Sequence, residues 1–245
     1  MKLDYTPLLD VGEGEPMVLL QGLFGNLSNW SHVVHEFSPS YRILIPRLPF
    51  FATPVSAERL DDLVQYVEDF IDALGLKKVI LLGNSLGGQM ALLYAWRQPA
   101  RVKKLVLAAS SGLSENNFDG TYPRIKDYAF IMDRVYKNFY QREVVTTALV
   151  DEVFQAVQSK VKAQSLVGLA RAAQRHNLAD ILDQVVTPTL LVWGLQDNIT
   201  PPEVALQFHE RLPHSSIVFF EHCGHVPMIE QPQLFTKHVR KFLAR

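Results

Sequence analysis

Val79-Ile80-Leu81-Leu82-Gly83-Asn84-Ser85-Leu86-Gly87-Gly88-Gln89-Met90 is the stretch that decides the fold. Its first four residues are apolar without alternation, as in a strand buried on both faces of a parallel sheet. Beyond the glycines, Met90, Ala91, Tyr94 and Ala95 recur at helical spacing. A strand, a tight turn and a helix are therefore expected, with Ser85 at the apex. The glycines at 83 and 87 are required by crowding, because a side chain at either position would meet the neighbouring strand or helix. This is a nucleophile elbow. It lifts the Ser85 hydroxyl above the sheet edge, and the helix start behind it offers free N–H groups and a positive dipole end.

The rest of the chain reads as an α/β protein, with a mostly parallel central sheet flanked by helices. Strands are expected at 2–10, Met17–Leu20, Tyr41–Ile45, Val102–Ala108, Thr189–Trp193 and Ser216–Phe220, with Gly12 to Pro16 as a turn. A short helix is expected around Trp30 to Phe37. A longer one, capped by Ser56, buries Leu60, Leu63, Val64, Val67, Phe70, Ile71 and Leu74. The acids on that helix (Glu58, Asp61, Asp62, Glu68, Asp69) are assigned to solvent. A final helix packs Leu234, Phe235, Val239 and Phe242. Between Ser110 and Asp183 helical spacing takes over: Tyr128, Ile131, Met132 and Val135, then Leu149, Val153, Val157 and Val161, then Leu166, Leu169 and Ala170. The expected division is a core of residues 1–109 and 184–245 with a helical cap at 110–183. The cap aromatics Tyr122, Tyr128, Phe130, Tyr136, Phe139 and Tyr140 are assigned mostly to the cap's own interior.

Composition excludes several functions. The 24 basic and 25 acidic side chains give no electrostatic case for nucleic acid or an anionic membrane. The single cysteine, Cys223, rules out an internal disulfide and a multi-cysteine metal site. It is read as a small buried apolar residue. No apolar run reaches membrane-spanning length, and the start MKLDYTPLLD has no signal-peptide core. A cytoplasmic protein without metal or cofactor is expected, as a monomer or homodimer.

A serine hydroxyl needs a base within hydrogen-bond reach, and the base needs a carboxylate behind it. His225 lies in a loop after the last strand. His222, three residues earlier, is its rival among the eight histidines. The loop Ser110-Ser111-Gly112 has no acid, so Asp197, in the loop after Trp193-Gly194, is the candidate carboxylate. Thr200 is read as the N-cap of the following helix, in a capping box with Glu203, which leaves Asp197 free. Gln21-Gly22-Leu23-Phe24-Gly25, at the end of a central strand, offers half of an oxyanion hole. Its donor is the Leu23 N–H, or Phe24 if the register differs by one. The Leu86 N–H supplies the other half.

With these residues assigned, the chain resembles the α/β-hydrolase superfamily over essentially its whole length. The resemblance rests on LLGNSLGG (81–88), WGLQDNITPP (193–202), HCGHVPMIEQP (222–232) and the order Ser…Asp…His. It is greatest to small cap-bearing serine hydrolases: carboxylesterases, the pimeloyl-ester esterase and C–C hydrolases of meta-cleavage products. It implies a serine hydrolase cleaving a carboxylic ester of a small to medium, partly apolar substrate. A C–C bond hydrolase is the alternative and predicts a buried basic residue for a substrate carboxylate, with Arg124, Arg134, Arg171 and Arg175 available. A small-molecule receptor with a slow triad is a third reading. Three departures stand out. Gln21-Gly22 replaces the family's His-Gly, with glutamine still able to hydrogen-bond the loop. Arg47-Leu48-Pro49-Phe50 replaces its Asp-x-Pro-Gly. Gly22-Leu23-Phe24-Gly25 replaces the Gly-x-Gly-Pro-Gly type loop of C–C hydrolases, which favours ester hydrolysis.

Overall fold

Unbroken apolar runs become interior strands of a parallel sheet. In the computed structural model, which describes residues 4–23, 27–50, 59–114 and 124–245, the strands are β1 (Leu9–Val11), β2 (Glu15–Leu20), β3 (Tyr41–Ile45), β4 (Val79–Asn84), β5 (Val102–Ala108), β6 (Thr189–Gly194) and β7 (Ser215–Phe220). Phe24, Ser56, Glu58 and Tyr122 lie outside the described residues. The sheet order is β1-β3-β2-β4-β5-β6-β7, with β1 antiparallel to β3 and every other pair parallel. β4 and β6 are buried along their whole length, as their composition requires. The chain moves outward from β2 to β3, then crosses back to β4 and proceeds the other way. The order therefore reverses between β2 and β4, where open α/β sheets bind ligands beyond the carboxyl ends of their strands.

The opening strand is shorter than the expected 2–10. The Thr6 N–H donates to the Asp4 side chain, Tyr5 Oη donates to Asp69, and Pro7 has no N–H to give a ladder. β2 begins at Glu15 because Glu15 and Pro16 already pair with Tyr41 and Arg42, so the expected turn ends at Gly14.

Helices α1 (Ser31–Phe37), α2 (Arg59–Ala73), α3 (Leu86–Arg97), α7 (Pro202–Arg211), α8 (Pro227–Glu230) and α9 (Pro232–Leu243) connect or follow the strands. The apolar stripe of α2 is buried from Leu60 to Ile71 as expected. Its acids are not simply solvated, because three of them hold neighbours. Asp61 pairs with Arg97, Glu68 accepts from Gln98 and Asp69 accepts from Tyr5. No helix among the described residues is long and apolar enough to cross a membrane.

Three further helices lie between β5 and β6: α4 (Tyr128–Tyr136), α5 (Thr147–Val157) and α6 (Lys160–Arg175). The helical series Leu149, Val153, Val157 and Val161 is broken. α5 ends at Val157, α6 restarts at Lys160, and Val161 is 55% exposed on the new helix. Of the aromatics assigned to this region's interior, Phe139 is buried, whereas Tyr128 and Tyr140 are exposed. Gln89 of α3 reaches into this connection. Its Nε2 donates to the carbonyls of Ala173 and His176, closing the open end of α6.

The turn from β4 to α3 carries backbone strain. Ser85 sits at φ 54° and ψ −122°, a conformation that L-residues rarely adopt. Its backbone is tied on both sides. The Ser85 N–H donates to Ala108 O, and the Ser85 carbonyl accepts from Gly88, Gln89 and Ser111. A Cβ at Gly83 would lie 2.4 Å from the Gly87 carbonyl oxygen, and one at Gly87 would lie 2.0 Å from that of Leu20 in β2. Both obstacles are backbone and cannot turn aside. Gly87→Ala is therefore expected to destabilise the fold by about 3 kcal/mol, a fall in Tm of roughly 10 °C that a thermal melt would read. An unchanged Tm would show that β2 and α3 can separate freely.

Candidate active site

Loops at the carboxyl ends of β2, β4, β6 and β7 converge on one end of the sheet. Ser85 follows β4, Asp197 follows β6 and His225 follows β7. His225 Nδ1 lies 2.9 Å from Asp197 Oδ2, with both side chains almost wholly buried. The structure thus brings together the predicted base and the predicted acid. The Asp197 carboxylate is fully used. Oδ1 accepts the N–H groups of Ile199 (2.8 Å) and Thr200 (3.0 Å), while Oδ2 accepts the Thr200 hydroxyl (2.9 Å) beside the imidazole. Accepting bonds of this kind hold a carboxylate in one orientation.

The role expected for Thr200 is corrected. Pro201 is the N-cap of α7, and Thr200 makes no capping box, because its N–H already donates to Asp197. Its hydroxyl instead sits between Asp197 Oδ2, the Ala109 carbonyl and His225 Nδ1, at 2.9, 3.3 and 3.3 Å. Asp197 therefore stands in this position because Thr200 supports it, not because Thr200 is occupied elsewhere.

His222 is placed apart from the acid. It is exposed at φ 53°, stacks on Tyr140 with centroids 5.5 Å apart, and its Nδ1 lies 3.3 Å from the Tyr140 hydroxyl. Cys223 is fully buried, and burial pushes its thiol pKa far up, which keeps it protonated and unreactive.

Two contacts that sequence reading missed join the loops. Asn84, the residue before Ser85, donates from Nδ2 to the carbonyl of Ala108 (3.0 Å) and to that of His225 (3.1 Å). One buried amide thus fixes the His225 backbone beside the elbow. Ser111 Oγ lies 3.5 Å from Ser85 Oγ, and its N–H donates to the Ser85 carbonyl. The loops of Asp197 and His225 are laced further by Leu195 N–H to Phe220 O, Gln196 N–H to Cys223 O and Cys223 N–H to Gln196 Oε1. A polar residue directly before the elbow serine was the only sequence signal for any of these.

Gly22 packs on the serine, since a Cβ there would lie 3.1 Å from Ser85 Cβ. Leu23 follows it directly, so its loop runs beside Ser85. Leu86 is the first residue of α3, where N–H groups have no intrahelical acceptor. The alternative donor Phe24 is outside the described residues. Gln21 is buried, but its Oε1 finds no hydrogen-bond partner among the described residues, so the bond expected of it is not made through that atom.

None of the four arginines considered for a substrate carboxylate is buried. Arg124, Arg171 and Arg175 are exposed, and half-buried Arg134 places its guanidinium 5.0 Å from the Phe130 ring centre. Among the described residues no lysine or arginine is buried.

The chain is similar to known proteins. The chain is 30% identical to the 2-hydroxy-6-oxo-2,4-heptadienoate hydrolase of Pseudomonas putida, covering 98% of this chain and 92% of that one. It is 28% identical to the pimeloyl-[acyl-carrier protein] methyl ester esterase of Vibrio campbellii, covering 95% and 96%. The crystal structure of an alpha/beta hydrolase enzyme from the sediment metagenome of the Mar Chica lagoon, Morocco, superposes with a TM-score of 0.78 at 34% identity, covering 96% of this chain and 93% of that one. Residues 17–237 match the model of the alpha/beta hydrolase family, and with the sheet order and the converging loops this places the chain as a member of that family.

Proposed function

We propose that the protein is a serine hydrolase that cleaves carboxylic esters of small to medium, partly apolar substrates. Ser85 attacks the ester carbonyl. His225, whose Nδ1–H bonds to Asp197, accepts the serine proton at Nε2. The N–H groups of Leu23 and Leu86 hold the oxyanion. His225 then protonates the departing alcohol, and water, activated by the same imidazole, releases the acid from Ser85. Residues 110–183 form a cap over this end of the sheet. The bonds from Gln89 to the end of α6 and from His225 N–H to the Asn138 carbonyl (2.8 Å) support that placement.

The observation that favours an ester over a C–C bond is the absence of a buried cation among the described residues. A diketone acid carries a carboxylate that a closed pocket must neutralise, because an unpaired buried charge is costly. An uncharged ester makes no such demand. The near end-to-end match to a methyl ester esterase agrees with this reading. Likeness to the P. putida hydrolase supports the second reading, a C–C hydrolase of the meta-cleavage type. Initial rates on p-nitrophenyl esters from acetate to laurate, set against a 2-hydroxy-6-oxo-dienoic acid, separate the two. The expected result is fast ester turnover with a chain-length optimum. Faster turnover of the dienoic acid than of every ester would overturn the ester reading.

A further inference from the structure

One buried carboxylate near the site is not accounted for by the reaction. Glu230, at the end of α8, is 6% exposed and lies five residues beyond His225. Its Oε1 accepts the Gly224 N–H at 2.7 Å. Its Oε2 accepts the N–H groups of Tyr140 and Gln141 at 2.8 and 2.9 Å. The first bond holds the residue adjacent to His225. The other two hold the segment that follows α4, within the β5–β6 connection. The same two segments meet in three more contacts. The His225 N–H donates to Asn138 O (2.8 Å), Gln141 Nε2 donates to His222 O (3.0 Å), and Tyr140 stacks on His222. A Cβ at Gly224 would lie 2.8 Å from Asn138 O, so the two backbones are in direct contact.

Resting on the assignment of His225 as the base, we infer that Glu230 is a positioning residue that clamps the 138–141 segment to the His225 loop, so that the seating of the connection sets the position of the base. A glutamate is suited to this task because both oxygens are acceptors and the groups facing them are donors, three N–H groups and, 3.9 Å from Oε1, the Cys223 thiol. Glutamine is not equivalent. Its single carbonyl oxygen can serve one side, and its NH2 then confronts an N–H on the other. With two donors on the Tyr140–Gln141 side, the oxygen goes there, and the Gly224 N–H beside His225 loses its partner.

The test compares wild type with Glu230→Gln, Glu230→Asp and Gln141→Ala. Readouts are kcat and KM on the best ester, the rate of covalent labelling by a fluorophosphonate, and Tm. Measurements are made well below the lowest Tm. Glu230→Gln is expected to lose about 100-fold in kcat, as a displaced catalytic group does, with KM little changed and labelling slowed in parallel. Glu230→Asp, which keeps two acceptor oxygens on a shorter arm, is expected to recover part of that loss. Gln141→Ala alters only the exposed edge of the contact, so it folds whatever becomes of the Glu230 variants, and a several-fold fall in kcat is expected. A lowered Tm with wild-type kcat and labelling in the folded variants would overturn the inference and leave Glu230 a purely structural group. An unlabelled wild type would instead overturn the assignment of Ser85 and His225, and the inference with it.

Discussion

Ser85→Ala is expected to lower kcat about a million-fold, as removal of the nucleophile does in serine hydrolases, while KM and Tm stay near their wild-type values. The distinction follows from what holds the elbow. The turn at φ 54° is fixed by backbone bonds to Ala108, Gly88, Gln89 and Ser111 and by the two glycines, none of which uses the serine hydroxyl. Ser111 Oγ lies 3.5 Å from the hydroxyl, too long to contribute much stability. Steady-state kinetics against the preferred ester, with circular dichroism and a thermal melt on the same sample, check the prediction. A variant that retains more than about a thousandth of wild-type turnover would mean that another group carries the chemistry, given the size of effect expected for a nucleophile.

Asp197→Asn is expected to lower kcat about ten-thousand-fold, the scale of the corresponding change in serine proteases, without loosening the loop. Oδ1 of Asp197 accepts two backbone N–H groups, so the amide oxygen of asparagine must take that place. The NH2 then occupies the Oδ2 position, 2.9 Å from His225 Nδ1. A donor facing Nδ1 forces the ring proton to Nε2, and an imidazole protonated there cannot accept the serine proton. Thr200 can adapt, because its hydroxyl rotates to accept from the new amide. A crystal structure of the variant should therefore superpose on wild type although activity is lost. Retention of more than a tenth of wild-type kcat would remove Asp197 from the mechanism.

Chemistry that depends on local crowding was legible in the sequence. Gly83 and Gly87 were required to avoid backbone, and the backbone they avoid is that of α3 and β2, the helix and strand anticipated. The strands expected at Tyr41–Ile45 and Val102–Ala108 have those bounds. The pairing of Asp197 with His225 followed from loop positions after successive strands. What escaped was set by partners distant in sequence. Asn84 reaches a carbonyl 141 residues away, and Glu230 reaches N–H groups 89 and 90 residues away. For Asn84 the polar residue type directly before Ser85 was the only signal, and for Glu230 neither residue type nor spacing announces such a bond. Thr200 was misread because a Thr-Pro-Pro-Glu string satisfies a local capping rule, and the tertiary hydrogen bond to Asp197 overrides it. The acids of α2 were given to solvent for the same reason, since Arg97, Gln98 and Tyr5 lie on other elements.

β5 and β6 are hydrogen-bonded neighbours, with Leu105 opposite Thr189 and Ala108 opposite Val192, although eighty residues of chain separate the strands. To the sheet, everything between them is one excursion that leaves and returns at fixed points. Closing a flexible excursion twice as long costs only about 0.6 kcal/mol more, so its length and contents are free to drift under selection while the three loops bearing Ser85, Asp197 and His225 keep their register. Residues 138–141 at the His225 loop, Ser111 at Ser85, and the carbonyls of Ala173 and His176 at Gln89 are the exceptions. They touch the His225 loop, the elbow and the helix behind it, so a chimaera given a foreign excursion is expected either to import matching edges there or to lose rate before it loses stability. The excursion can therefore change only under a boundary condition set at these few contacts.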